Sequence, residues 1–227
     1  MTTEGSAAIT GTTDILEPLP DTPATRRRVN TRMRLVRASL EVFVDKGIDG
    51  ATIDDLVSAA GFTRGAFYSS FSRKEEVFYA LFESVTDEVI EKVRTSVEEA
   101  LAQIMASGPD VADDAAVMVA VFEAIRPYGR QWYLLYSEAV AHALRSEEAL
   151  VQLNAQRRRL RDEIARALEH GMRVKDERCA IGVEHLAQLL IGIFVDLMVQ
   201  ENLDGDDVTT LAGTTIHGVM RAFVVPR

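Results

Sequence analysis

Along most of the chain, apolar residues recur at intervals of three and four, the period of one face of a helix. Val36, Leu40 and Phe43 form a first such stripe behind Thr31, a cap candidate, and Gly47 is expected to end it. Two short units follow. Ile53, Leu56 and Val57 lie behind Thr52, whose hydroxyl can cap a helix start with Asp55 three residues on. Gly61 stands where a C-terminal cap needs a left-handed backbone. Ala66, Phe67 and Phe71 then lie behind a second cap, Thr63. The box Ser72-Arg-Lys-Glu75 predicts a new, long helix through Val77, Phe78, Leu81, Phe82, Val85, Val89, Val93 and Val97 toward Met105, stopped at Gly108-Pro109. Further helices are predicted over 110–125, 128–143, 146–171, 182–200 and 207–223, separated by Pro127, the Ser146 cap, Gly171 and an Asp- and Gly-rich loop. The expected fold class is all-α. Residues 1–25 are rich in Thr, Pro and Gly and lack a helical period, so they are expected to form a disordered leader.

Composition narrows the class. With 227 residues and 47% hydrophobic content, the chain can bury a substantial core, and disorder of the whole is excluded. The single cysteine, Cys179, cannot form an intramolecular disulfide, which suits a reducing compartment. No secretory apolar region is expected at the N-terminus, and no uninterrupted apolar run of about 18 residues suggests a membrane span. The nearest candidate, 181–199, is interrupted by Glu184, His185, Gln188 and Asp196, and reads as a helix buried on several sides. The expected location is the cytoplasm, with no membrane partner.

A net charge of -10 argues against a polyanion partner until its distribution is considered. Residues 26–74 carry +5 and the remainder -15. A basic head on an acidic body orients a molecule on a polyanion by one end. Two short helices joined by a Gly-containing turn, inside that basic segment, are the pattern of a helix-turn-helix.

Ala51-Thr52, Ala59-Ala60-Gly61, Gly65, Phe67-Tyr68, Phe71 and Lys74-Glu75 together resemble the signature of TetR-type (tetracycline-repressor-like) transcriptional regulators, over about 45 residues from Thr31 to Val77. The resemblance implies an N-terminal three-helix DNA-binding domain, an all-helical C-terminal domain for a small effector, and a homodimer. The implied division is a leader over 1–25, a DNA-binding domain over 26–77 and a ligand-binding and dimerisation domain over 78–227. By match to the family motif, Thr52 bonds a phosphate, Thr63, Arg64, Gly65 and Tyr68 enter the major groove with Ser69 on the outward face, and Lys74 reaches the DNA backbone. Arg64 is the candidate for base readout, because a guanidinium pairs bidentately with guanine. Arg26, Arg27 and Arg28 precede the motif and are placed to enter an adjacent minor groove or neutralise phosphates.

For the body, Met118, Phe122, Tyr128, Trp132 and Tyr136, facing Phe82, are pocket candidates, as are Glu138 and His142 four residues apart. Such a pocket, aromatic and with few fixed charges, favours a flat or hydrophobic effector. Aromatics at helical spacing are also ordinary core. The stripes of 182–200 and 207–223 hold more apolar residues than one core face needs. The family's dimer interface is built from its last two helices, so Leu186, Leu190, Phe194, Leu197, Leu211, Thr215 and Val219 are the interface candidates. Glu138 and His142 lack a third ligand, and the loop 202–207 lacks a calcium loop's downstream glutamate, so no metal is expected. No phosphate-binding loop, nucleophile elbow or Cys/His constellation is present, so no cofactor and no enzymatic activity are expected. The expectation is a ligand-responsive regulator, most simply a repressor that binds a palindromic operator as a homodimer and is released by its effector. The alternative is a small-molecule-binding protein whose head contacts protein instead of DNA.

Overall fold

The computed structural model describes residues 15–16, 27–107, 114–205 and 207–227. Helix α1 runs Arg27–Gly50, beginning before Thr31 because the arginines ahead of it are good helix formers. The regular helix ends at Gly47 as expected, where φ 66° and ψ -178° break the helical path, and a further short turn carries the element on to Gly50. Helices α2 (Ile53–Ala60) and α3 (Arg64–Tyr68) complete the head. Helix α4 (Lys74–Ser107) is 34 residues long, about 50 Å at 1.5 Å per residue, and leads from head to body. The expected stop at Gly108-Pro109 lies outside the described residues.

The body continues with α5 (Asp114–Ile125), a single 3-10 turn at Arg126–Tyr128, α6 (Gly129–Ala143), α7 (Glu147–Val174), α8 (Val183–Asp204) and α9 (Thr209–Phe223). Helix α7 passes through Gly171, because the apolar stripe goes on to a buried Met172. Helix α8 extends to Asp204, where Gly205 supplies the left-handed cap at φ 72°.

Two three-residue strands escape the helical period. Strand β1 (Glu177–Cys179) pairs antiparallel with β2 (Val224–Pro226), with Arg178 opposite Val225. They tie the C-terminal segment to the α7–α8 corner. Such short strands carry no readable alternation.

The core is continuous from head to body. Phe43 of α1 meets Phe78 of α4 edge to face at 5.3 Å, and Phe67 of α3 is fully buried beside Phe71. In the body, Leu186 and Met198 of α8 and Ala212 of α9 are fully buried. At Gly129, where α6 meets α8, an added Cβ would lie 1.8 Å from Met198 Sδ, so the two helices approach closely only because that side chain is missing. The expected disordered leader is corrected at two positions. Ile15 and Leu16 are buried, and the Ile15 N–H donates to Oε1 of Gln131, itself buried, at 3.0 Å. A two-residue apolar insert has no period from which burial could be read.

Candidate nucleic-acid interface and interior cavity

The head is held together by short-range hydrogen bonds. Thr52 Oγ1 accepts from Asp55 N–H at 3.2 Å, and Asp55 Oδ2 accepts from both the amide and the hydroxyl of Thr52 at 3.0 and 2.7 Å. This reciprocal box starts α2. Lys46 Nζ donates to Asp55 Oδ1 at 2.7 Å, so the carboxyl is held down to about 2, first by Lys46 and then by Thr52. At the other end of α2, Gly61 takes φ 67°, and the Phe62 N–H donates to the Val57 carbonyl at 2.8 Å, closing the turn. No atom lies within 4 Å of a Cβ built at Gly61, so its backbone angle and not space requires glycine.

Helix α3 opens at Thr63, whose hydroxyl accepts from Ala66 N–H at 3.4 Å. It buries Phe67 and leaves Tyr68 59% exposed, with Arg64, Gly65 and Ser69 also facing out. The helix is anchored from α1: the Arg32 guanidinium lies 3.9 Å above the Phe71 ring and donates to the Ser70 carbonyl at 2.8 Å. The exposed face of α3 is thereby displayed on a fixed base.

The two charged candidates whose side chains are described, Arg64 and Lys74, are already engaged. Arg64 donates through Nε and Nη2 to Asp54 at 2.6 and 2.5 Å, a fork-to-fork pair in which both side chains stay more than half exposed. Each partner's pKa is pushed toward its charged form by that hydrogen bond. Lys74 Nζ donates to the carbonyls of Asp49 and Ala51 at 3.0 and 2.9 Å, which pins the start of α4 to the α1–α2 corner. The amide of Ser72 donates to Glu76 and not to the expected Glu75, at 2.9 Å, because α4 begins later than the box implies. Arg26 lies outside the described residues, and of Arg27 and Arg28 only the backbone, in the first turn of α1, is described.

Among the described residues, polar contacts hold α1 and the start of α4 to the rest of the body. Glu138 Oε2 of α6 accepts from the Ile48 N–H at 3.0 Å, and a Cβ at Gly47 would lie 3.0 Å from the same carboxylate. Tyr79 Oη and His142 Nδ1 are 2.9 Å apart with their rings stacked, and burial pushes the Tyr79 hydroxyl up to about 12. Arg73, just before α4, pairs with Glu148 of α7 at 2.5 Å. Glu138, expected in a pocket, is part of this joint, and His142 lines a polar cleft of about 490 Å³ beside it, with Tyr79, Arg73 and Glu148, rather than the apolar cavity among the aromatics. Side chains pointing at the head from α6 share a helix with the pocket aromatics but not their face.

Between α4, α5, α6, α7, α8 and α9 lies a cavity of about 70 Å³ with an almost wholly apolar wall. Val89, Met118, Phe122, Trp132, Ile164 and Phe194 are among its lining residues. Phe194 stands edge to face against both Phe122 (5.8 Å) and Trp132 (5.9 Å). A smaller chamber of about 30 Å³ adjoins it and adds Phe82, Tyr136 and Gln156. Met118, Phe122, Trp132, Phe82 and Tyr136 are therefore brought together. Tyr128 lines neither space and lies 4.5 Å beneath the Lys92 ammonium. The aliphatic walls, Val89 and Ile164 among them, carry no mark in the sequence beyond ordinary core periodicity.

The interface candidates divide. Leu186 and Leu197 are buried inside their own chain, and Leu190 and Phe194 line the cavity. Thr215 and Val219 are half-buried and Leu211 is 44% exposed, as is Leu189 of α8. Helix α8 is long and apolar enough by composition to cross a membrane, yet it packs on α6, α7 and α9 as a core helix with one uncovered face. Among the described residues, no three His, Cys, Asp or Glu side chains converge as a metal site would require.

A network unforeseen in the sequence closes the body's far end. Arg126 bonds Glu201, Asp207 at 2.9 Å and Thr209 at 2.6 Å, joining the α5–α6 elbow to the α8–α9 loop. Asp207 also caps α9 through the Thr209 N–H at 2.9 Å.

Residues 35–81 match the family of bacterial regulatory proteins of the tetR type. The HTH-type transcriptional regulator SrpR of Pseudomonas putida is 48% identical over 54 residues, which are 24% of this chain and only 25% of that protein. Beyond the head the likeness is one of fold. Salmonella enterica GusR superposes with a TM-score of 0.66 at 16% identity, over 85% of this chain and 96% of that one. A TetR-family transcriptional regulator from Cytophaga hutchinsonii gives 0.65 at 14%, over 90% and 100%. Residues 35–81 thus carry the helix-turn-helix head of the tetR family of bacterial regulatory proteins, on a helical body with the fold of solved TetR-family regulators.

Proposed function

We propose that the protein is a homodimeric, ligand-responsive transcriptional regulator that represses by binding a palindromic operator and lets go when a small hydrophobic molecule enters the interior cavity. The observation that carries this reading is the mechanical path between two sites. The display helix α3 is anchored to α1, α1 packs along α4, and α4 supplies Val89 and Val93 to the cavity wall. The α6 helix that carries Trp132 also carries Glu138 and His142, the grips on α1 and α4. A ligand that spreads α4 from α6 acts on the same helices that set the angle of the head, and a form holding the two heads apart differently binds DNA less well.

In this reading the uncovered strip of α8 and α9 around Leu189 and Leu211 is covered by a second copy. The two α3 helices then sit about 34–36 Å apart, one turn of DNA. Thr63, Arg64, Gly65, Tyr68 and Ser69 face the major groove, and Arg26, Arg27 and Arg28 lie toward the flanking backbone or minor groove. Thr52 and Lys74 act chiefly by holding the α1–α2 corner, with Thr52 presenting its amide end to a phosphate. The protein acts in the cytoplasm, where its DNA is, and needs no catalysis.

The test is fluorescence anisotropy with DNA from upstream of its own gene against scrambled DNA at several salt concentrations. Specific binding that falls with salt, and loses its sequence preference in Arg64→Ala, is expected. Equal affinity for both DNAs at every salt would refute the reading. Reporter output that drops when the gene is deleted would replace repression with activation.

A further inference from the structure

Resting on the effector-site reading above, we infer that the interior site takes a neutral amphiphile. Its hydrophobic body fills the main cavity, and its head group, able both to accept and to donate a hydrogen bond, sits between Trp132 and Gln156. The two chambers share Trp132, Leu160 and Ile191, so one molecule can occupy both. The main chamber offers no polar side chain except the indole edge, and a charged group there would lose its hydration without recompense.

The smaller chamber is different. Trp132 is 4% exposed and stacked on Tyr136 at 4.9 Å, yet its Nε1–H is buried without a partner in the chain. Oε1 of Gln156, which lines the same chamber, is likewise buried and unpartnered. Buried polar groups are nearly always paired, and these two are an unpaired donor and an unpaired acceptor on one small space. The hydroxyl of Thr86 cannot serve them, since it donates to the Phe82 carbonyl at 2.8 Å. With Oε1 of Gln156 turned into the chamber, a ligand hydroxyl or primary amide answers both groups at once. An ether or ketone oxygen answers Trp132 only. A carboxylate would face Oε1 of Gln156, and Arg157 at the chamber rim is exposed to solvent and so a weak anchor.

The experiment uses the full chain with four probes of similar length: 1-octanol, its isomer heptyl methyl ether, nonane and octanoate. Binding is read by thermal shift and by the fluorescence of Trp132, which is the sole tryptophan. Octanol is expected to bind tightest, then the ether, then the alkane, with steps of about threefold to tenfold, the size of one hydrogen bond each. The indole emission should move to longer wavelength with octanol and ether but not with nonane. Gln156→Leu should erase the octanol–ether step and leave the ether–alkane step, and Trp132→Phe should erase the latter. Three outcomes would overturn the inference: equal affinity for octanol and nonane, as when ordered water already serves both groups; octanoate binding tighter than octanol; or no stabilisation by any probe. Anisotropy of operator DNA on the same samples separates this from the wider reading. If the ranking holds but DNA is not released, the effector reading fails and the ligand class stands. If the ranking fails while another compound still releases DNA, only the ligand class falls.

Discussion

Arg64 and Lys46 of the head hold carboxylates before any partner arrives. Arg64, the candidate base reader, is held by Asp54 in an exposed pair that solvent screens, and so is easily exchanged for a guanine edge or a phosphate. Asp54 both presets the guanidinium and, as an anion beside the groove, taxes DNA that offers no better partner. Asp54→Asn should therefore raise affinity for scrambled DNA by about threefold to tenfold and shrink the ratio of specific to non-specific binding, as measured by anisotropy on both DNAs. An unchanged ratio would show that Asp54 does not steer Arg64. Asp55 makes a pH prediction. Its carboxyl lies below the ordinary 3.8, at about 2, because Lys46 and Thr52 bond its charged form, and Asp207 is held near 2 by Thr209 and Arg126. A carboxyl with a lowered folded pKa contributes stability above its ordinary pKa and loses it as pH falls through the folded value. The melting temperature should accordingly hold steady above pH about 5, fall between about 4 and 2, and fall less steeply in Asp55→Asn. The Thr52–Asp55 box was readable in sequence, since its partners are three residues apart. The Lys46 contribution was not, because it depends on how α1 lies against α2.

At the scale of elements, the structure turns on a few close approaches. Gly129 lets α6 settle on Met198 of α8, and Met198 is fully buried. Gly129→Ala should lower stability by about 1–3 kcal/mol through overpacking, visible as an earlier urea midpoint at unchanged slope. A midpoint equal to wild type would mean that Met198 can swing aside. Helix periodicity located α6 and α8 well, yet gave no sign that Gly129 was their meeting point, because a glycine at a helix start looks the same whether it caps or packs. The kink in α1 has the same character. Gly47 was legible as a break, and only the fold shows that the break faces Glu138 and lets its carboxylate reach the Ile48 amide.

For the whole molecule, the uneven charge and the uncovered apolar strip govern behaviour. A head at +5 over residues 26–74, on a chain whose remaining residues sum to -15, binds a polyanion by that end and repels it elsewhere. Leu189 and Leu211, each 44% exposed, mark the strip proposed to be covered by a second copy. The double variant Leu189→Asp with Leu211→Asp should give a monomer by light scattering and weaken operator binding at least about a hundredfold, since two linked heads gain far more than either alone. A dimer that survives would place the interface elsewhere.

The sequence by itself determined what depends on neighbours along the chain: the helical periods, the caps at Thr52, Thr63 and Ser146, the left-handed turn at Gly61, and with them the helix-turn-helix. Those features close within a few residues, so the pattern contains all their partners. Tertiary structure decided which stripe faces core, cavity or outside. It buried Leu186 and Leu197 while leaving Leu211 exposed, sent Glu138 to an amide 90 residues away, and drew the Ile15 amide to Gln131 across 116 residues. A helical period says that a face is apolar but not what it meets, and a polar side chain on a helix names no partner until another helix is laid against it.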